Sequence, residues 1–177
     1  NTPFSPFEYK EGNKFYGVDM EIADLLAKKL GKELVIVDME FDAIVTSVNT
    51  GTADMGMAGL TISEDRKTLV NFTAPYYNAS QKIIVKGDDT TFDGLTTVEA
   101  VEEKIKSLSG VSAGFQTGTT GELYVSGDAD WGFDGFANVK AVGFESAASA
   151  VTDMLNGNIA FVVVDEAPAL SIVTAVN

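Results

Sequence analysis

The residues with the most chemistry to offer lie in Ala58-Gly59-Leu60-Thr61-Ile62-Ser63-Glu64-Asp65-Arg66. Arg66 is the only arginine of the chain, every other basic side chain being lysine. A guanidinium presents a planar fork of donors that fits a carboxylate in bidentate fashion, so an arginine beside small and hydroxyl residues points to an anion receptor. A surface arginine that happens to be unique is the alternative reading. A second candidate is Thr117-Gly118-Thr119-Thr120-Gly121-Glu122, where glycine permits a turn and a helix N-terminus directs amide donors at an anion. It lacks the Gly-Lys-Ser/Thr element of a P-loop, and Thr-Gly turns are also common helix starts. Asp165 follows an apolar run, where a carboxylate without a cationic partner is costly. It is either the N-cap of a helix beginning near Ala167 or the acceptor for a ligand ammonium. If Arg66 and Thr120 receive a carboxylate and Asp165 an ammonium, the ligand is an α-amino acid, and the Thr61 hydroxyl and the Gly59 carbonyl can complete the ammonium site. Phe4 and Phe41 stand where loops leave predicted strands, and each is either core or a wall against the ligand side chain.

Composition narrows the rest. A chain of 177 residues with 45% hydrophobic content makes one ordinary domain or two small lobes with a real core. The net charge of -14 argues against nucleic acid and against an anionic membrane surface, both of which need basic protein. No apolar run approaches the ~18 residues that span a bilayer. The absence of cysteine and histidine removes disulfides, thiolate nucleophiles, imidazole bases and the usual zinc ligands together. No cofactor is expected.

The elements that must position these residues follow from periodicity. Asp19 is expected as an N-cap, with Met20, Ala23, Leu26, Ala27 and Leu30 at helical spacing and Gly31 as the stop. Residues 34–37 read as a buried strand, Ile44, Val45 and Val48 as a helix ending near Gly51, and 53–57 as another strand. That alternation predicts a parallel sheet covered by helices. Further strands are expected at 69–72 and 81–86, and a boundary in the polar stretch 87–91. Beyond it come a helix over 98–107, a strand over 111–115 and a helix opened by Thr117 to Glu122. A strand over 139–144, a helix over 147–155, a strand over 159–164 and a helix over 167–173 complete the pattern.

An internal repeat gives the order meaning. Aligning Gly51 with Gly157 sets Val45 against Val151, Val48 against Met154 and Gly59 against Asp165. Each half then has a helix, a glycine turn, a strand and a polar loop at the strand's carboxyl end, where ligands of open α/β sheets bind. Two such halves facing each other would make a cleft lined by both.

Seven motifs carry a family resemblance: Phe4-Ser5-Pro6-Phe7-Glu8, Gly17-Val18-Asp19-Met20, Phe41-Asp42-Ala43-Ile44, the stretch from Ala58 to Arg66, Phe72-Thr73-Ala74-Pro75-Tyr76-Tyr77, Thr117-Gly118-Thr119-Thr120 and Val164-Asp165-Glu166-Ala167-Pro168. Together, in this order, they resemble the polar amino-acid-binding proteins of bacterial ABC importers. The resemblance implies a type II periplasmic binding protein-like fold: two doubly wound α/β lobes, 1–84 and 85–177, with the ligand cleft between them and closure by hinge motion. It implies that Arg66 and Thr120 hold the ligand carboxylate, that Asp165, Thr61 and the Gly59 carbonyl hold its ammonium, and that Phe4 and Phe41 sandwich its side chain. Asn1 falls near the ligand's distal end, and the Ala58-Gly59-Leu60-Thr61 form is similar to that of members binding glutamine-like ligands. The implied partners are a free polar amino acid and the importer's permease subunits. The implied setting is extracytoplasmic, in the periplasm or on the cell surface as a lipoprotein, for a monomer without enzymatic activity. Family members also carry a strand ahead of the position of Asn1 and a second hinge strand after that of Val173, so the chain reads as truncated at both ends. A cyclohexadienyl dehydratase-like enzyme on the same scaffold and the ligand-sensing domain of a receptor are the rival readings.

Overall fold

The apolar run before Asp165 becomes the most enclosed strand of a four-stranded sheet in the computed structural model, which describes residues 1–176. The chain divides into two units, one of Asn1–Ala79 with the residues from Leu170 on, the other of Ser80–Ala169.

The second unit holds the sheet. Its strands are β3 (Gln81–Ile84), β4 (Val111–Gln116), β5 (Val139–Phe144) and β6 (Phe161–Asp165), in the order β3-β6-β4-β5. Strand β4 is parallel to both β5 and β6, and β3 closes one edge antiparallel to β6. Its helices are α4 (Val98–Ser107), α5 (Thr120–Ser126), α6 (Ala147–Leu155) and the start of α7 (Glu166–Val176). Helices α4 and α6 begin where the sequence says, because the Thr97 and Ser146 side chains accept amide hydrogens three residues on and satisfy the first turn.

Both faces of the sheet are covered, which is why β6 is apolar without alternation. On one face Phe115, Phe161 and Val163 join Ile105 of α4 and Val125 of α5 in a buried cluster. Gly121 lets α5 close on this face, since a Cβ there would lie 2.6 Å from the Val163 carbonyl oxygen. On the other face Gly114 leaves room for α6, as a Cβ there would stand 3.2 Å from that of Ala150. Strand β4 therefore sends α5 across one face toward β5, while α6 returns across the other face to β6.

The first unit is different. Its ladder is the antiparallel hairpin of β1 (Tyr9–Glu11) and β2 (Lys14–Tyr16), followed by α1 (Val18–Leu30), α2 (Ala43–Asn49) and the short α3 (Glu64–Lys67). The strands expected at 34–37, 53–57 and 69–72 do not form. A strand exists by pairing, and among the described residues none of the three has a ladder partner. Val35 is 74% exposed and Val37 62%, so this apolar run is not the buried one its composition predicts. Asp19 is not the N-cap of α1 either. Gly17 takes that position at φ 119, approaching the 6–7 backbone so closely that a Cβ would sit 2.1 Å from the Phe7 carbonyl oxygen. The division between units also differs from the expected break at 84/85: β3 belongs with the second unit because it pairs along its length with β6.

The repeat holds in its helices and turns. Gly51 and Gly157 both have positive φ, and their amides bond back to Val48 and Met154. The next amides, of Thr52 and Asn158, bond back to Ser47 and Asp153, the same offset again. It fails at the following strand, which forms only in the second copy.

These contacts predict unequal costs of truncation. Met154→Ala, in the face of α6 packed on the sheet, is expected to lose about 2–5 kcal/mol in urea unfolding followed by circular dichroism. Val35→Ala is expected to change stability by less than about 0.5 kcal/mol. A large loss at Val35 would contradict its exposure.

Candidate functional site

In the first unit the candidate residues gather around a loop held by a buried carboxylate. Gly59 adopts φ 56 and donates its amide to Asp19 Oδ2 at 3.0 Å. The Phe4 ring lies against it, so that a Cβ on Gly59 would meet Phe4 Cε1 at 2.9 Å. Ala58 is buried with Phe41 and Ile44, and Met39 and Leu60 pack on that cluster. Ser63 then caps α3 by accepting the Arg66 amide at 3.3 Å, which fixes where the arginine side chain starts.

The Arg66 guanidinium turns back on its own loop. Its Nη1 donates to the Thr61 carbonyl at 2.8 Å, and its Cζ lies 5.4 Å from the centre of the Phe41 ring. Burial lowers its pKa from the ordinary arginine value, but a guanidinium stays charged at any physiological pH. The loop therefore presents a fixed, half-buried cation. Phe41, Thr61, Gly59, Phe4 and Ala58 all belong to this group. Asn1 reaches the edge of this group, its side-chain amide donating to the carbonyl of Met39, which packs on Phe41 and Ala58.

In the second unit, Thr119, Thr120 and Asp165 come to one edge of the sheet. The parallel register that pairs Gly114 with Val162 brings the ends of β4 and β6 together, the turn 117–120 following one and Asp165 ending the other. Because α5 and α6 leave and arrive on opposite faces, this is a topological switch point, the position where open α/β sheets bind ligands. Thr119 is the N-cap of α5, yet its hydroxyl donates to the Gln116 carbonyl at 2.7 Å instead of capping the helix. The amide of Gly118 is taken by Glu122 Oε2 at 2.7 Å, so part of the expected anion cradle is filled by the chain's own carboxylate. Asp165 accepts a hydrogen bond from Gln81 Nε2, its register partner on β3. Burial raises the Asp165 pKa, and the bond from Gln81 opposes that rise without cancelling it. A cation beside Asp165 would relieve this penalty.

The sequence reading missed the acids behind the first loop. Glu8 is 1% exposed and Asp19 0%, and the two carboxyls act on each other inside the unit. Asp19 also accepts from the Tyr76 hydroxyl at 2.7 Å. The Glu8 pKa is pushed up to about 9, first by burial and then by the charge of Asp19. Tyr76 is shifted upward as well, by burial and then by its bond to Asp19. The available signal was the position of both acids inside apolar and aromatic surroundings, Phe7-Glu8-Tyr9 and Val18-Asp19-Met20.

Comparison with known proteins matches this architecture to one family. The model of the bacterial extracellular solute-binding proteins, family 3, matches residues 1–170, and the chain belongs to that family. It is 35% identical over 122 residues to the arginine-binding extracellular protein ArtP of Bacillus subtilis, covering 69% of this chain and 44% of ArtP. The arginine-bound form of truncated ArgBP from T. maritima superposes with a TM-score of 0.80 at 35% identity, over 97% of this chain and 74% of that one. AncCDT-1, an ancestral amino acid-binding protein described as a precursor of cyclohexadienyl dehydratase, gives a TM-score of 0.81 at 30% identity, over 98% of this chain and 70% of that one. The fold is that of the type II periplasmic binding proteins. The chain spans about half the length of the curated relatives it matches. Among the described residues no helix is long and apolar enough to cross a membrane, and no cluster of acidic side chains could hold a metal ion.

The Asp165 environment sets a pH dependence. A carboxyl whose pKa rises on folding contributes fully below its unfolded value, and that contribution is lost as pH climbs through the raised value. Asp165→Asn removes this loss. Ligand-free protein is expected to melt at or above the wild-type temperature at pH 7 in this variant, with the advantage shrinking toward acid pH. A variant that melts lower at pH 7 would contradict the unrelieved burial of Asp165.

Proposed function

We propose that this chain is part of a solute-binding protein that captures a free polar L-amino acid for an ABC importer. The observation that carries the reading is the half-buried Arg66 guanidinium, anchored on the Thr61 carbonyl and stacked on Phe41, in the loop fixed by Gly59. A fork held in this way is pre-organised for an α-carboxylate and loses little entropy on binding one. Asp165, whose burial penalises its charge, is the proposed acceptor of the α-ammonium, with the Thr61 hydroxyl and Gly59 carbonyl assisting. Thr119 and Thr120 are proposed to add donors to the carboxylate, Phe4, Phe41 and Ala58 to bound the side chain, and Asn1 to lie toward its far end.

The ligand class is an α-amino acid with a polar side chain. L-arginine is a first candidate because ArtP and ArgBP are named for it, and L-glutamine a second because of the Ala58-Gly59-Leu60-Thr61 sequence. The proposed setting is outside the bacterial cytoplasm, free or lipid-anchored, as a monomer that delivers its ligand to permease subunits. Binding without turnover is proposed. The carboxyl kept neutral near pH 7, Glu8, is enclosed at 1% exposure and so is poorly placed to act as a general acid on a cyclohexadienyl substrate.

Titration calorimetry with L-arginine and L-glutamine tests the role of Arg66. Arg66→Ala is expected to weaken binding by on the order of 100-fold or more, since it leaves a ligand charge unpaired. Arg66→Lys should restore little of the loss, because an ammonium cannot reproduce the fork. Full affinity in Arg66→Ala would overturn the carboxylate site.

A further inference from the structure

Behind the loop of residues 58–66 lies a cluster that the binding reading does not use. Gly17 brings the start of α1 against the backbone of residues 6–7, with Val18 N–H donating to the Pro6 carbonyl at 3.1 Å and Asp19 N–H to that of Phe7 at 3.0 Å. This approach sets the Asp19 carboxylate beside that of Glu8, with both removed from water. Asp19 then accepts the Gly59 amide on one oxygen and the Tyr76 hydroxyl on the other.

Two carboxyl groups enclosed side by side cannot both ionise without a large penalty, so one of them keeps its proton. The surroundings say which one it is. Asp19 sits in the first turn of α1, where the helix dipole favours a negative charge, and it receives two donors from other parts of the unit. Glu8 has an oxygen, Oε2, that is buried without a hydrogen-bond partner, which a neutral carboxyl tolerates far better than an ionised one. The proton therefore belongs to Glu8.

We propose that Glu8 and Asp19 form a proton-sharing carboxyl pair whose single negative charge fixes the Gly59 amide, making Glu8 a positioning residue for the amino-acid-binding loop. This rests on the reading of residues 58–66 as that loop. The physical consequence is direct. While Glu8 keeps its proton, Asp19 is a strong acceptor for Gly59 and Tyr76. When Glu8 loses it, two like charges face each other in an enclosed site, and the pair must separate or admit water. The charged group that opposes ionisation of Glu8 is Asp19. The Tyr76 hydroxyl faces the pair through Asp19.

The test needs no ligand. In ¹⁵N-resolved NMR spectra of the intact chain, the Gly59 amide is followed as pH rises from 6 to 10, in wild type and in Glu8→Gln. The glutamine keeps a donor toward Asp19 but cannot ionise. The expected result is a Gly59 resonance that moves in wild type with a midpoint near pH 9, the value to which burial pushes Glu8, and that stays flat in Glu8→Gln. Thermal melts add a second readout. Folding raises the Glu8 pKa from 4.5 to about 9, so its contribution is full below the lower value and is lost across that interval, and Glu8→Gln should flatten the wild-type decline. A Gly59 resonance that does not titrate in wild type, or that titrates equally in Glu8→Gln, overturns the proposal. Calorimetry with L-arginine on the same samples at pH 7 reports on the binding reading separately, since the Gly59 titration stands or falls without it.

Discussion

One hydrogen bond across forty residues of chain, from the Gly59 amide to the Asp19 carboxylate, holds together the loop that carries the first unit's candidate residues. The loop has no strand ladder to lean on. Gly59 is in a left-handed conformation with the Phe4 ring pressed against it, and both features demand a fixed anchor for the backbone. Asp19 supplies that anchor because Gly17 lets α1 start in contact with the backbone of residues 6–7. From the anchored glycine the chain reaches Thr61, whose carbonyl receives Arg66, and then Ser63, whose hydroxyl receives the Arg66 amide. The position of the guanidinium is thus inherited, bond by bond, from a carboxylate that never touches it.

The second unit solves the same problem with a sheet. Asp165 is aimed by β6, which is buried on both faces, and the turn 117–120 is aimed by its neighbour β4. Rigid strands hold these residues where side-chain bonds hold Arg66. The cost shows in Asp165, whose ionisation is penalised by the same burial that fixes it. Burial of this kind is a sign of function when a complementary charge is to be supplied from outside.

How much of this was legible in the sequence depended on whether the determining interaction was local. Helices α4 and α6 and strand β5 form over the stretches the sequence predicts, because Thr97 and Ser146 cap the two helices locally and Val139, Val142 and Phe144 favour a strand. Arg66 and Asp165 stood out by composition and by their apolar setting. The repeat correctly related the turns at Gly51 and Gly157. What failed was pairing. Residues 34–37 are as apolar as a buried strand, yet whether such a run is enclosed depends on partners that local sequence does not name. Asp19 was misread for a related reason: its spacing from Met20 and Ala23 suits a cap, but its role is set by Glu8, Gly59 and Tyr76, all distant in sequence. In the turn 117–120 one amide, that of Gly118, is bonded by Glu122 four residues on, a local pairing that the Thr-Gly pattern alone does not reveal.

The charges proposed to meet the ligand are of opposite sign, a guanidinium from one unit and a carboxylate from the other. If both meet the ligand as proposed, a zwitterion would answer both charges, whereas an amine would answer only Asp165 and offer Arg66 no carboxylate. Titration calorimetry comparing L-arginine and L-glutamine with their decarboxylated amines therefore tests the account most directly. An amino acid is expected to bind on the order of 100-fold or more tightly than its own amine. Equal affinity for amino acid and amine would contradict the account.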